Sequence, residues 1–216
     1  MKHYSAYIFD FDGVIKDSVK VKSEAFVQLY ATEGIEFQSK VEEYHLTNGG
    51  ISRYVKFKVW NEWLGRSTSE DAIEELAKNF AQLVINNVVT SPFVHGSMQA
   101  LKSASDNALT FLATGTPDDE INMILSQLRL AELFSEVHGS SRKKTIIVND
   151  ILKRFDLTPS EVLFIGDAQT DYYAALNNGL DFYLRKTDYN SDWFEGKPGI
   201  SYQSNDLDYL KELITK

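Results

Sequence analysis

The chain has 216 residues, 43% hydrophobic and 25% charged, with no cysteine and a formal net charge of −9. That length can bury a core without staples, and the lack of cysteine excludes disulfides and thiolate-bound metals and suits a reducing compartment. The acidic balance, with no basic block, argues against nucleic acid or an anionic membrane as the main partner.

No apolar run approaches the ~18 residues a membrane helix needs, and the first residues carry no apolar stretch of a secretion signal. The expectation is a cytoplasmic protein, a monomer or weak dimer. In chain order, the first apolar run, Tyr4–Phe11, reads as a buried strand that ends on two carboxylates, Asp10 and Asp12, followed by Gly13. Residues 16–92 carry helical patterns, clearest at Ile73, Leu76, Ala77, Phe80 and Val84, and no convincing strand. They read as an inserted all-helical unit, leaving 1–15 and 93–216 as an α/β core. Inside the insert, Asn48-Gly49-Gly50 forms a turn before a helix with Ile51, Val55, Val59 and Trp63 four apart.

Ala108–Ala113 is the second strand. Thr116 as N-cap, Pro117 at N1 and the acids 118–120 then announce a helix through Ile121, Ile124, Leu125 and Leu128. Arg142, Lys143 and Lys144 precede a helix starting near Thr145. Glu161–Ile165 and Leu180–Leu184 read as further strands, the first followed by Asp167 and Asp171. The tail is expected to close a sheet edge and end in an amphipathic helix, with no chemistry of its own. Strands alternating with helices predict a doubly wound parallel sheet.

Ligands of such a sheet bind beyond the carboxyl ends of its strands. Those ends carry Asp10 and Asp12, Thr114 and Gly115, Lys144, and Asp167 with Asp171. Two carboxylates about 5 Å apart repel by about 3 kcal/mol at an effective dielectric near 20. Their convergence therefore asks for a cation, and all-oxygen ligands suit Mg2+. Each residue alone has an ordinary reading: a turn aspartate, a helix cap, a solvated lysine. Their conjunction at successive strand ends outweighs it.

Four stretches in order, "DFDGVIKDS", "FLATGTP", the lysine of "SRKKTII" and "FIGDAQTD", resemble the motifs of the haloacid dehalogenase-like hydrolases. The helical insert resembles the cap of the subgroup that includes phosphoglycolate phosphatase and β-phosphoglucomutase. The resemblance implies a Mg2+-dependent phosphatase acting on a small phosphorylated metabolite, with a sugar phosphate among the candidates. Asp10 would be the nucleophile and Asp12 the proton carrier, its backbone carbonyl also on the metal. Thr114, Gly115 and Lys144 would hold the phosphoryl group, and Asp10, Asp167 and Asp171 the metal. Lys144 is preferred over Lys143 because the apolar spacing after it fits the helix. Burial and neighbouring negative charge are expected to raise the pKa of Asp12 so that it carries a proton.

A phosphosugar mutase remains the alternative, since its core would look the same. A response-regulator receiver has a similar residue set, but in a different order and without a large insertion after the first strand. No GxxxxGK[ST] or GxGxxG pattern supports a nucleotide loop. His3, His45, His95 and His138 lack metal-ligand spacing, and structural or surface roles are expected for them. In the insert, Arg53 falls in a helix first turn, where a cation is disfavoured unless an anion holds it. Asn48, Gly49 and Arg53, with His45 and Lys56 behind them, are the expected lining of a substrate pocket.

Overall fold

The structure is a computed structural model that describes residues 2–215. Its sheet contains β1 (Ala6–Phe9), β2 (Leu109–Ala113), β3 (Glu136–His138), β4 (Val162–Gly166), β5 (Asp181–Arg185) and β6 (Ile200–Ser204), in the order β3-β2-β1-β4-β5-β6. Every pairing is parallel, with Phe9 opposite both Leu112 and Ile165. The order reverses beside β1, so the crevice of this doubly wound sheet opens where β1 and β4 end.

Side-chain alternation divides the core into two layers. Tyr7, Phe9, Leu112, Leu163, Ile165 and Tyr183 face one side, against α5 (Ser97–Asn107), α6 (Asp118–Leu128) and α10 (Asp208–Thr215). Ala6, Ile8, Phe111, Phe164 and Phe182 face the other, against α7 (Lys144–Arg154), α8 (Gln169–Asn178) and the short α9 (Ser191–Phe194). The four central strands, β1, β2, β4 and β5, are buried on both faces, which is why they read as unbroken apolar runs.

Between β1 and α5 the chain forms four helices and no strand: α1 (Val19–Leu29), α2 (Ile35–Thr47), α3 (Arg53–Trp63) and α4 (Glu70–Thr90). Their interior is an aromatic cluster in which Phe26 stacks on Phe80 with centroids 4.0 Å apart and meets Trp60 edge-on at 5.0 Å. Such pairs add ~0.5–1.5 kcal/mol beyond their area burial. Ser69 caps α4 by accepting the Ala72 N–H. The segment leaves and rejoins the core through two lengths of chain that run antiparallel side by side: Asp17 N–H donates to the Pro92 carbonyl at 2.9 Å, and Val94 N–H to the Ile15 carbonyl at 3.0 Å.

Several elements differ from the sequence reading. β3 was not expected; three half-buried residues carry too little periodicity to announce a strand. β1 is shorter than Tyr4–Phe11, because after Phe9 the chain turns and the Phe11 carbonyl accepts three successive N–H groups. Thr116 does not cap α6. Pro117 holds that position, and the Thr116 hydroxyl is spent on Asp12 and Lys22. In α3 the apolar residues spaced by four are split, with Val55 and Trp63 each 49% exposed and Val59 half-buried against the core, while Arg53, Lys56, Phe57 and Trp60 are buried. Partners on other elements decided the face, outweighing intrinsic hydrophobicity. β6 and α10 do close the β5 edge of the sheet.

Candidate active site

Asp10 ends β1 with its N–H on the Ile165 carbonyl and one carboxylate oxygen accepting the Phe11 N–H at 2.7 Å. Gly13 holds φ at 77°, and a Cβ there would sit 2.1 Å from the Asp167 carboxylate, so only glycine lets the β1 loop pass β4 so closely. Asp171, in the first turn of α8, accepts the N–H groups of Asp167 and Ala168. Lys144, first residue of α7, lies 2.9 Å from Asp10 and 2.5 Å from Asp171. Lys143 is exposed one residue earlier, so Lys144 is the lysine that reaches the acids.

One oxygen each from Asp10, Asp167 and Asp171 lies within 4.8 Å of the others, and all three residues are buried. Burial first, then the charge of Asp171, pushes the Asp10 carboxyl up to about 7, although Lys144 works against it. Burial and the charges of Asp10 and Asp171 push Asp167 well above the usual range. Lys144 resists its own desolvation and is held protonated by Asp10 and Asp171. The acids outnumber the single lysine. The all-oxygen donor set and its surplus negative charge fit a hard divalent cation such as Mg2+.

Asp12 behaves differently from the expectation. Burial favours its neutral form, but Lys22 at 2.5 Å, with the Ser18 and Thr116 hydroxyls, outweighs burial and holds it below its ordinary value. Lys22 lies on the buried side of α1 and also donates to Thr116 at 2.7 Å. Residue type and spacing do not signal this, because one lysine in a helix reads as a solvated one. Thr114 is buried, its hydroxyl accepting the Thr116 N–H at 3.2 Å, and Gly115 rather than Thr114 faces the opening.

A cavity of about 270 Å³ separates these residues from the helical segment, walled by Asp10, Asp12 and Gly115 on one side and Lys22, Arg53 and Lys56 on the other. The loop between α2 and α3 rests on the sheet side. Gln169 donates to the Thr47 carbonyl at 3.0 Å, and a Cβ on Gly115 would meet the Gly50 carbonyl at 2.8 Å. Gly49 lines the cavity but Asn48 does not, because its amide is turned back to end α2 on the Tyr44 carbonyl and Thr47 hydroxyl.

Arg53 is held by an anion within the chain: its guanidinium lies 2.6 Å from Glu120 of α6 and over the Phe80 ring. His45 and Lys56 form a buried pair, Lys56 Nζ to His45 Nδ1 at 2.7 Å. The tail, expected to be inert, supplies Tyr189, Asn190 and Trp193 to the wall, and Asn190 donates to the Asp167 carbonyl at 2.8 Å. His3 is exposed. His95 and His138 pair with Asp208 and Glu136 away from the cavity.

Residues 7–184 match the profile of the haloacid dehalogenase-like hydrolases. The chain belongs to that family. It is 23% identical over 192 residues to a phosphoglycolate phosphatase of Pasteurella multocida, covering 83% of this chain and 84% of that one. Among solved structures, a hydrolase from Pseudomonas syringae superposes with a TM-score of 0.76 at 20% identity, covering 97% of each chain. A Bacillus subtilis hydrolase of the same superfamily, solved bound to magnesium, gives 0.73 at 15% identity over 100% of each. No helix among the described residues is long and apolar enough to cross a membrane.

Proposed function

We propose that this protein is a Mg2+-dependent phosphatase that hydrolyses a small phosphorylated metabolite through a phosphoenzyme on Asp10. In this reading the helices within 16–92 cap a catalytic core made of 1–15 and 93–216. The observation that carries it is Lys144 bridging Asp10 and Asp171, with Asp167 beside them in a buried, net-negative cluster. The phosphatase relative and the magnesium bound to the Bacillus subtilis structure support it.

Asp10 attacks phosphorus and the ester P–O bond breaks, leaving an acyl phosphate. Water then attacks the same phosphorus, releasing orthophosphate and restoring the carboxylate. Phosphoryl transfer asks chiefly for positioning and charge stabilisation. Lys144 and the Gly115 backbone N–H serve the phosphoryl oxygens, and Thr114 supports that loop from behind. Held by Asp10 and Asp167, with Asp171 ordering its surroundings, Mg2+ would supply the remaining positive charge. Asp12 is ionised in the arrangement described, the form that accepts a proton from the attacking water. It protonates the leaving alkoxide only when its pair with Lys22 loosens, as when a substrate anion competes for that lysine.

Phosphate release from p-nitrophenyl phosphate, with EDTA and after Mg2+ is restored, tests the metal. Acid-quenched Asp10→Asn tests the nucleophile. Release should vanish and return, and the variant should carry no phosphate. Release indifferent to EDTA, or phosphate trapped on Asp10→Asn, would overturn the assignment.

A further inference from the structure

Lys16 takes no part in phosphoryl transfer, yet it is 2% exposed. A lysine is almost never that buried without a partner, and Lys16 has no carboxylate partner among the described residues. Its ammonium instead donates to the Val89 carbonyl at 3.0 Å and lies 4.2 Å from the centre of the Phe93 ring. Val89 is in the last turn of α4. The chain leaves the helix after Thr90, and Pro92 has no N–H, so the last carbonyls of α4 need donors from elsewhere. The Ser91 hydroxyl serves Val88 at 2.8 Å, and Lys16 serves Val89. A cation at the carbonyl end of this 21-residue helix is favoured by the helix dipole, and the Phe93 ring adds its own attraction. The main chain of Lys16 meanwhile holds the catalytic loop. Its carbonyl accepts the Gly13 N–H at 2.7 Å and closes the turn that follows Asp12. The Ser18 hydroxyl donates to Asp12 at 2.6 Å and reaches the same Lys16 carbonyl at 3.4 Å. One residue therefore grips the Asp12 turn through its main chain and the end of α4 through its side chain.

We infer that Lys16 is a positioning residue: its buried tie to the end of α4 fixes the Asp12 turn against the helical segment and keeps Asp12 aimed at the water that opens the phosphoenzyme. This rests on the phosphatase reading and deepens it. The backbone bonds of Asp17 to Pro92 and of Val94 to Ile15 hold the two linkers side by side. The ammonium carries the hold on from the linkers to the helix itself.

Lys16→Met tests this, because it keeps most of the stem and removes the ammonium. Replacing a buried charge by a packed apolar side chain is often neutral for stability, so the melting temperature should hold. The probe is p-nitrophenyl phosphate with Mg2+, and phosphoenzyme is trapped in acid during steady turnover. Trapped phosphoenzyme divided by turnover rate is the lifetime of the acyl phosphate, whatever amount of the protein is folded. Lys16→Met should lengthen that lifetime by about tenfold, within the cost of a misplacement below about 1 Å. Formation of the phosphoenzyme should change little, because p-nitrophenolate leaves without needing a proton. An unchanged lifetime, or formation slowed as much as hydrolysis, overturns the positioning role while leaving the phosphatase intact. An unchanged lifetime with a lowered melting temperature would make Lys16 a structural cap of α4 alone. No turnover in the unaltered protein, or turnover with no phosphoenzyme trapped in either protein, overturns both.

Discussion

Arg53 and Glu120, sixty-seven positions apart in the chain, form an ion pair at 2.6 Å in which each side chain is 5–6% exposed. Arg53 opens α3 in the helical segment, and Glu120 sits in the first turn of α6 on the sheet. The pair therefore joins the two sides of the cavity. Each charge is removed from water only because the other is present, and Phe80 covers the guanidinium face.

Arg53→Ala should then cost about 3–5 kcal/mol of stability, because it strands Glu120 as an uncompensated buried charge. Arg53→Ala combined with Glu120→Gln should recover much of that loss. Chemical denaturation of the single and double variants measures it. Additive losses would show that the two side chains do not depend on each other.

Lys22 gives the second expectation. Its ammonium, more than any other group, holds the Asp12 carboxyl down. Lys22→Met should raise the Asp12 pKa, so the ionised form disappears at a higher pH as acid is added. The acid limb of kcat for p-nitrophenyl phosphate, which includes hydrolysis of the phosphoenzyme, should move up by about one pH unit or more. An unmoved limb would remove Asp12 from proton transfer or Lys22 from its control.

Asp10 titrates in the opposite sense. Burial lifts it from 3.8 to about 7, so across that interval the folded chain holds a proton that the unfolded chain has lost. Its contribution to stability is complete below pH 3.8 and is lost as pH rises through about 7. In EDTA, the melting temperature of Asp10→Asn should therefore gain on that of the unaltered protein between pH 5 and pH 8. Mg2+ should stabilise the unaltered protein more at pH 8, where the acids are ionised. Calorimetry at the two pH values decides it; a gap that does not widen with pH would mean that Asp10 is not held protonated.

The sequence alone determined the strand–helix alternation and the acids at the strand ends. Those features are local: an unbroken apolar run needs a two-sided sheet, and a carboxylate closing that run has few places to go but the carboxyl edge. Asp10, Asp167, Asp171 and Lys144 could be placed on one rim from pattern and motif order. The tertiary structure decided which groups meet across long chain separations, and that set the electrostatics. Asp12 was expected to be raised by its acidic neighbours and is instead held down by Lys22. The spacing of Val55, Val59 and Trp63 announced α3 but not its buried face, and packing against Phe26, Phe80 and Glu120 turned Arg53 and Lys56 inward. β3 and the tail residues of the cavity wall were silent for the same reason. A side chain's burial and charge partner belong to the packed fold, and residue type and spacing constrain them only within a few turns of chain.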